Sequence, residues 1–180
     1  MKILFLISYS LFVMNLFANE HRVVLHGHAS HFKSTDRIDR EFNEENYGIG
    51  YEYNTYDGVD NGDYFESFIT FSANVIQDSY KKIFPFIGTG IELRTKGKYS
   101  IGVNLSGFVG YKKISRYNHN LNTDVYTEIN REYIIVGGVT PGVKLYAGDF
   151  SFNYNYSPRF EYENIVAEGF HYFSLSYRFY

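Results

Sequence analysis

The chain has 180 residues, no cysteine and a formal net charge of −3. A disulfide framework and a thiolate metal centre are excluded, and no basic field is present to attract a nucleic acid. Aromatic residues make up 20% of the chain, as 19 tyrosines and 17 phenylalanines, which suits a protein that meets two membrane–water interfaces.

Residues 1–18 read as a secretory signal: Lys2 is followed by an apolar run that ends at Ala18. Beyond Ala18 no run approaches the roughly 20 apolar residues that a membrane-spanning helix needs. Residues 19–180 read as one domain of eight strands, at 22–32, 47–56, 63–75, 83–94, 98–112, 131–145, 149–157 and 170–180. Most have the roughly 9–11 residues that a tilted strand needs to cross a bilayer.

The alternation is clearest in the fifth strand. Tyr99, Ile101, Val103, Leu105, Val109 and Tyr111 share one face, and Ser100, Gly102, Asn104, Ser106 and Gly110 share the other. The seventh strand sets Phe150, Phe152, Tyr154 and Tyr156 against Ser151, Asn153, Asn155 and Ser157. The last strand sets Phe173, Leu175, Tyr177 and Phe179 against Ser174, Ser176 and Arg178. Repeated along almost the whole chain, this pattern predicts an all-β fold: an eight-stranded antiparallel transmembrane β-barrel of the bacterial outer membrane. Closure into a barrel leaves no unpaired edge in hydrocarbon. Turns rich in Gly, Asn and Asp alternate with longer polar connections, which places both chain ends on the periplasmic side.

The same alternation points Phe68, Phe84, Phe86, Phe108, Ile134 and Val136 into the lumen, with Gly88 and Gly90 beside them. Such a lumen either accepts a lipid tail or is filled by its own side chains. Of the three prolines, Pro141 and Pro158 fall in or at the ends of the adjacent sixth and seventh strands. Proline donates nothing to a ladder, so the pair either opens a lateral gap or merely ends strands.

Candidate chemistry collects at the outer ends. Asp78-Ser79-Tyr80 follows the third strand, and His31 ends the first, with His26 and His28 upstream. A serine supplies a hydroxyl, a histidine a general base and an aspartate an orienting group. Asp-Ser is also a common turn pair. Asp36, Asp39, Glu41, Glu44 and Glu45 form an acidic loop interleaved with Arg37 and Arg40, read as a solvated surface. No metal site and no cofactor are expected.

The run from Asp78 to Glu92, Asp-Ser-Tyr-Lys-Lys-Ile-Phe-Pro-Phe-Ile-Gly-Thr-Gly-Ile-Glu, resembles the Asp-Ser-aromatic, Pro, Gly-x-Gly and Glu stretch of the lipid A palmitoyltransferase family (PagP). Thr35-Asp36-Arg37 and Phe42-Asn43-Glu44 are similar to that family's first outer loop, lengthened by an insertion, and Pro141 and Pro158 match the spacing of its lateral gate. The resemblance implies an acyltransferase in which Asp78 and Ser79 act with a histidine, either His31 or His28. Simple alternation puts these two histidines on opposite faces, so a bulge would decide between them. It implies that Gly90 floors the acyl pocket, with Gly88 and Phe86 beside it. The chain departs from the family in lacking its amphipathic amino-terminal helix.

The expected activity is transfer of a palmitoyl-like chain from a phospholipid donor to lipid A or a related glycolipid, by a monomer embedded in the membrane. The alternatives are a non-enzymatic small barrel and a lipid A deacylase.

Overall fold

The computed structural model describes residues 20–31, 44–56, 62–78, 81–120, 125–158, 160–162, 165–167 and 169–180. The expected signal, residues 1–18, lies outside them. The strands are β1 (Glu20–His31), β2 (Glu45–Tyr56), β3 (Phe65–Gln77), β4 (Ile83–Thr95), β5 (Tyr99–Asn120), β6 (Val125–Ala147), β7 (Phe150–Ser157), β8 (Phe160–Tyr162), β9 (Ile165–Ala167) and β10 (Phe170–Arg178). Eight of them close into an antiparallel barrel in the order β1-β10-β7-β6-β5-β4-β3-β2, and β8 and β9 form a separate small hairpin. Closure comes from β1 against β10, paired from Arg22–Arg178 to His31–Phe170.

The alternating pattern dictates the two surfaces. Along β5, Tyr99, Ile101, Val103, Leu105, Val109 and Tyr111 are exposed on the outside, while Gly102 and Asn104 are buried inside. From Tyr99 to Tyr111 this apolar face rises about 30 Å for a strand tilted by roughly 40°, enough to cross the hydrocarbon layer. Tyr111 stacks on Tyr133 of β6 at a centroid distance of 5.0 Å, part of an aromatic girdle at the outer end.

The periplasmic end is stitched from turn to turn. Lys96 N donates to Tyr64 O (2.9 Å), Gly148 N to Lys98 O (2.8 Å), Arg178 N to Asp149 O (2.8 Å) and His21 N to Tyr180 O (2.7 Å). Gly62, Gly97 and Gly148 take positive φ in these turns, where a side chain would be strained.

Beside the β8–β9 hairpin, which lies where a long polar connection was expected, two features differ from the sequence reading. First, β5 and β6 run beyond residues 112 and 131. The reading stopped where Lys112 and Lys113 begin a charged stretch, but the two strands go on pairing with each other as far as Asn120–Val125. β4 leaves β5 after Phe86–Gly110, so this outer part is a two-stranded ribbon. Second, the lumen is apolar only in its outer half. Its periplasmic half is packed with charge, as described next.

Candidate functional site

Three levels stack inside the barrel. At the periplasmic level Glu20 takes guanidinium contacts from Arg94 (2.8 Å), Arg22 (3.1 Å) and Arg178 (3.2 Å). Glu92 binds Arg94 (2.7 Å), Lys144 (3.1 Å) and the Tyr146 hydroxyl, which donates at 2.5 Å. Lys144 also reaches Glu52 at 2.8 Å. The Arg94 guanidinium lies over Tyr146 and Phe68, 3.9 and 4.3 Å from the ring centroids. Buried charges persist only when paired, and the strands supply both signs: β1, β2 and β4 bring Glu20, Glu52 and Glu92, while β1, β4 and β6 bring Arg22, Arg94 and Lys144. Below this network a mouth of about 480 Å³ opens between Tyr56, Glu66, Lys98 and Arg178.

The middle level is lined by small polar groups. Asn104 Nδ2 donates to Ser106 Oγ (3.2 Å) and to Asn155 Oδ1 (3.4 Å), and Asn153 Nδ2 donates to Ser174 Oγ (3.2 Å). Gly88 and Gly90 lie on this wall. A Cβ at Gly90 would stand 2.6 Å from Ser106 Oγ, and one at Gly88 would stand 2.8 Å from Ser72 Oγ. Gly90 thus sits directly above the charged network, two residues from Glu92, with Ser106 against it.

The outer level is aromatic. Phe84, Phe86 and Phe108 contact one another with centroids 5.3–6.5 Å apart. Phe86, Phe108, Ile134 and Val136 remain half-buried, so this part of the lumen is accessible. The β6–β7 ladder runs from Ala147–Phe150 to Gly142–Asn155 and stops beside Pro141. Beyond that rung β6 has no partner on its β7 side among the described residues. Pro158 follows the end of β7. Both prolines therefore border one seam.

The sequence-predicted catalytic residues are distributed unevenly. Asp78 follows the end of β3, is 3% exposed and caps the turn into β4. Its Oδ1 accepts from Lys82 N (2.8 Å), its carbonyl accepts from Lys81 N (2.9 Å), and its Oδ2 is 3.3 Å from Lys112 Nζ. Ser79 lies outside the described residues. A bulge falls at Gly27, between His26 and His28. It turns His28 outward, where the ring is exposed and stands 6.1 Å from the Phe173 ring, and it turns Ala29 inward at 1% exposure. His31 pairs with Phe170 at the end of β1; its side chain is outside the described residues. The described structure therefore brings Phe86, Gly88 and Gly90 onto one lumen wall and sets His28 on the opposite surface of the barrel.

Among the described side chains, the histidine that enters the lumen is His26. The sequence reading had placed it only as an upstream neighbour, although the alternation Arg22, Val24, His26 already assigns it to the inner face. It is 8% exposed, stacks on Tyr172 (5.4 Å, 27°) and lies 6.3 Å from Phe86 on the far wall. Its Nε2 is 2.9 Å from Asn74 Oδ1. These two side chains meet across Gly50 of β2, where any Cβ would collide with them.

A closed antiparallel barrel with an apolar belt and paired charges in its lumen is a transmembrane β-barrel of the outer-membrane type, and its place is the bacterial outer membrane. No family model and no curated protein matches the chain. Among solved structures it is similar to the N-terminal β-barrel domain of Pseudomonas aeruginosa OprF, with 13% identity, 90% of this chain and 98% of that chain covered, and a TM-score of 0.47. It is also similar to Ail, the attachment invasion locus protein of Yersinia pestis, with 11% identity, 89% and 97% covered, and a TM-score of 0.46. The acyltransferase resemblance rests on the motif residues alone.

Proposed function

We propose that this barrel is an acyltransferase that moves a phospholipid acyl chain to lipid A or a related glycolipid. The observation that carries the reading is the end of the β6–β7 ladder at Gly142–Asn155, beside Pro141 and level with an accessible apolar lumen. The donor's tail enters through that seam and lies against Phe86, Phe108 and Val136. Its ester then lies at the outer rim near Asp78. There the acceptor hydroxyl attacks the ester carbonyl, and His31 takes the hydroxyl proton and returns it to the departing lysophospholipid. Asp78 and Ser79 orient the reacting groups. A non-enzymatic barrel is the second reading, favoured by Ser106 standing against Gly90 and by Asp78 serving as a turn cap.

The test is expression in a Gram-negative host that lacks its own lipid A acyltransferase, followed by mass spectra of lipid A. Wild type is expected to add one acyl chain, and Ser79→Ala and Asp78→Asn to add none. Unchanged lipid A with a correctly inserted barrel would favour the non-enzymatic reading, and loss of one chain would identify a deacylase.

A further inference from the structure

The outer lumen holds polar atoms that the acyl-transfer reading does not use. His26 Nδ1 and the Tyr172 hydroxyl are buried without a hydrogen-bond partner among the described residues. Leaving such groups unpaired costs about 1–3 kcal/mol each, so their pairing is a question the fold has to answer. The protonation of His26 follows from its neighbours. Asn74 Nδ2 donates to Ser72 Oγ at 3.1 Å, which turns Asn74 Oδ1 toward His26 to accept from Nε2 at 2.9 Å. The ring proton is therefore on Nε2, and Nδ1 presents a lone pair. Beside it, stacked at 5.4 Å, Tyr172 carries a hydroxyl able to donate. One acceptor and one donor thus sit on two stacked rings, and the His26 ring lies 6.3 Å from that of Phe86, which in turn contacts Phe108.

Their position relative to the seam is fixed by register. Tyr172 pairs with Asn155, and Asn155 pairs with Gly142 in the last rung of the β6–β7 ladder. Whatever enters at the lower end of the seam is thus one strand away from Tyr172. Asn74, which holds His26, lies four residues below Asp78, about 13 Å along the strand.

We infer that the outer lumen is a binding site for a hydroxylated acyl chain: the chain lies along the phenylalanine wall, and a mid-chain hydroxyl donates to His26 Nδ1 and accepts from Tyr172. The inference deepens the acyl-transfer reading by naming its donor class. Binding itself does not depend on catalysis, so the two fail separately.

The experiment uses the purified barrel in detergent, with mid-chain hydroxystearic acid and stearic acid as probes and 15N-labelled histidine as the reporter. The hydroxylated probe is expected to bind at least about tenfold more tightly than stearic acid and to shift the His26 Nδ1 resonance saturably. His26→Phe and Tyr172→Phe, each checked for folding by heat-dependent gel migration, are expected to bind the two probes alike. Equal affinity of the wild type for both probes overturns the inference and leaves acyl transfer standing. Binding of neither probe, or a preference that survives in both variants, also overturns it.

Discussion

Lys144 is the residue on which the charge balance of the lumen turns. It is 4% exposed and stands between Glu52 and Glu92, at 2.8 and 3.1 Å. Replacing it with methionine keeps most of the volume but leaves two carboxylates facing each other away from bulk water. Breaking a buried pair from one side costs about 3–5 kcal/mol. Lys144→Met is expected to lower the temperature at which the folded band disappears on unboiled gels. A variant as heat-resistant as wild type would show that the network adds little to stability. Gly50 illustrates the opposite economy of size: a glycine on β2 lets His26 and Asn74 join across a strand that separates them.

At the scale of the element, the bulge at Gly27 decides which histidine faces the lumen. It shifts the pairing between His26 and His28, so every later residue of β1 changes face. The chain contains no cysteine, which makes the consequence directly readable. A cysteine at His28 is expected to react with a membrane-soluble maleimide, and one at Ala29 to resist it. Deleting Gly27 removes only the extra residue and is expected to leave both results unchanged, because His26 and His28 already pair with consecutive residues, Ser174 and Phe173. A reversal of the two results on deletion would mean that Gly27 is an ordinary residue of the ladder and not the bulge.

This also marks how far the sequence could be read. The strands were legible because a period of two survives wherever one face meets lipid, as in Phe150, Phe152 and Tyr154. Pro141 and Pro158 have no N–H and so marked a weak point between two strands, which fits equally the end of the β6–β7 ladder at Gly142–Asn155 and a lateral gap. That a bulge in the first strand would decide between His28 and His31 was legible too, but its place was not, because Gly27 looks like any other glycine in an alternating run. The ribbon was missed because the charge at Lys112 and Lys113 looks like a loop, although Lys113–Tyr133 and Ile114–Glu132 still pair. The lumenal ion network was invisible because Glu20, Arg94 and Lys144 meet only after the barrel has closed with its particular stagger.

For the whole molecule, the charged level is a plug. Eight strands enclose an interior just wide enough for side chains, and here Arg22 and Glu92 are each 1% exposed. Planar bilayers containing the protein are expected to show no steady current above that of lipid alone. Replacing Arg22, Arg94 and Lys144 together with alanine is expected to let ions through. A steady wild-type current would refute the plug. Traffic through this molecule, on the reading proposed here, is sideways from the outer leaflet, not through the barrel from end to end.

The closure of β1 on β10 has a consequence for how the protein comes into being. Every other ladder joins strands that are adjacent in the chain, apart from the β8–β9 hairpin between β7 and β10. The closing ladder joins Arg22 to Arg178, almost the full length of the sequence apart, and contacts that distant form slowly. Synthesis must therefore finish before the first strand can find its partner. In the interval the nascent sheet has two raw margins whose backbone groups lack partners. A chain cut short before Phe170 would carry that vulnerability permanently.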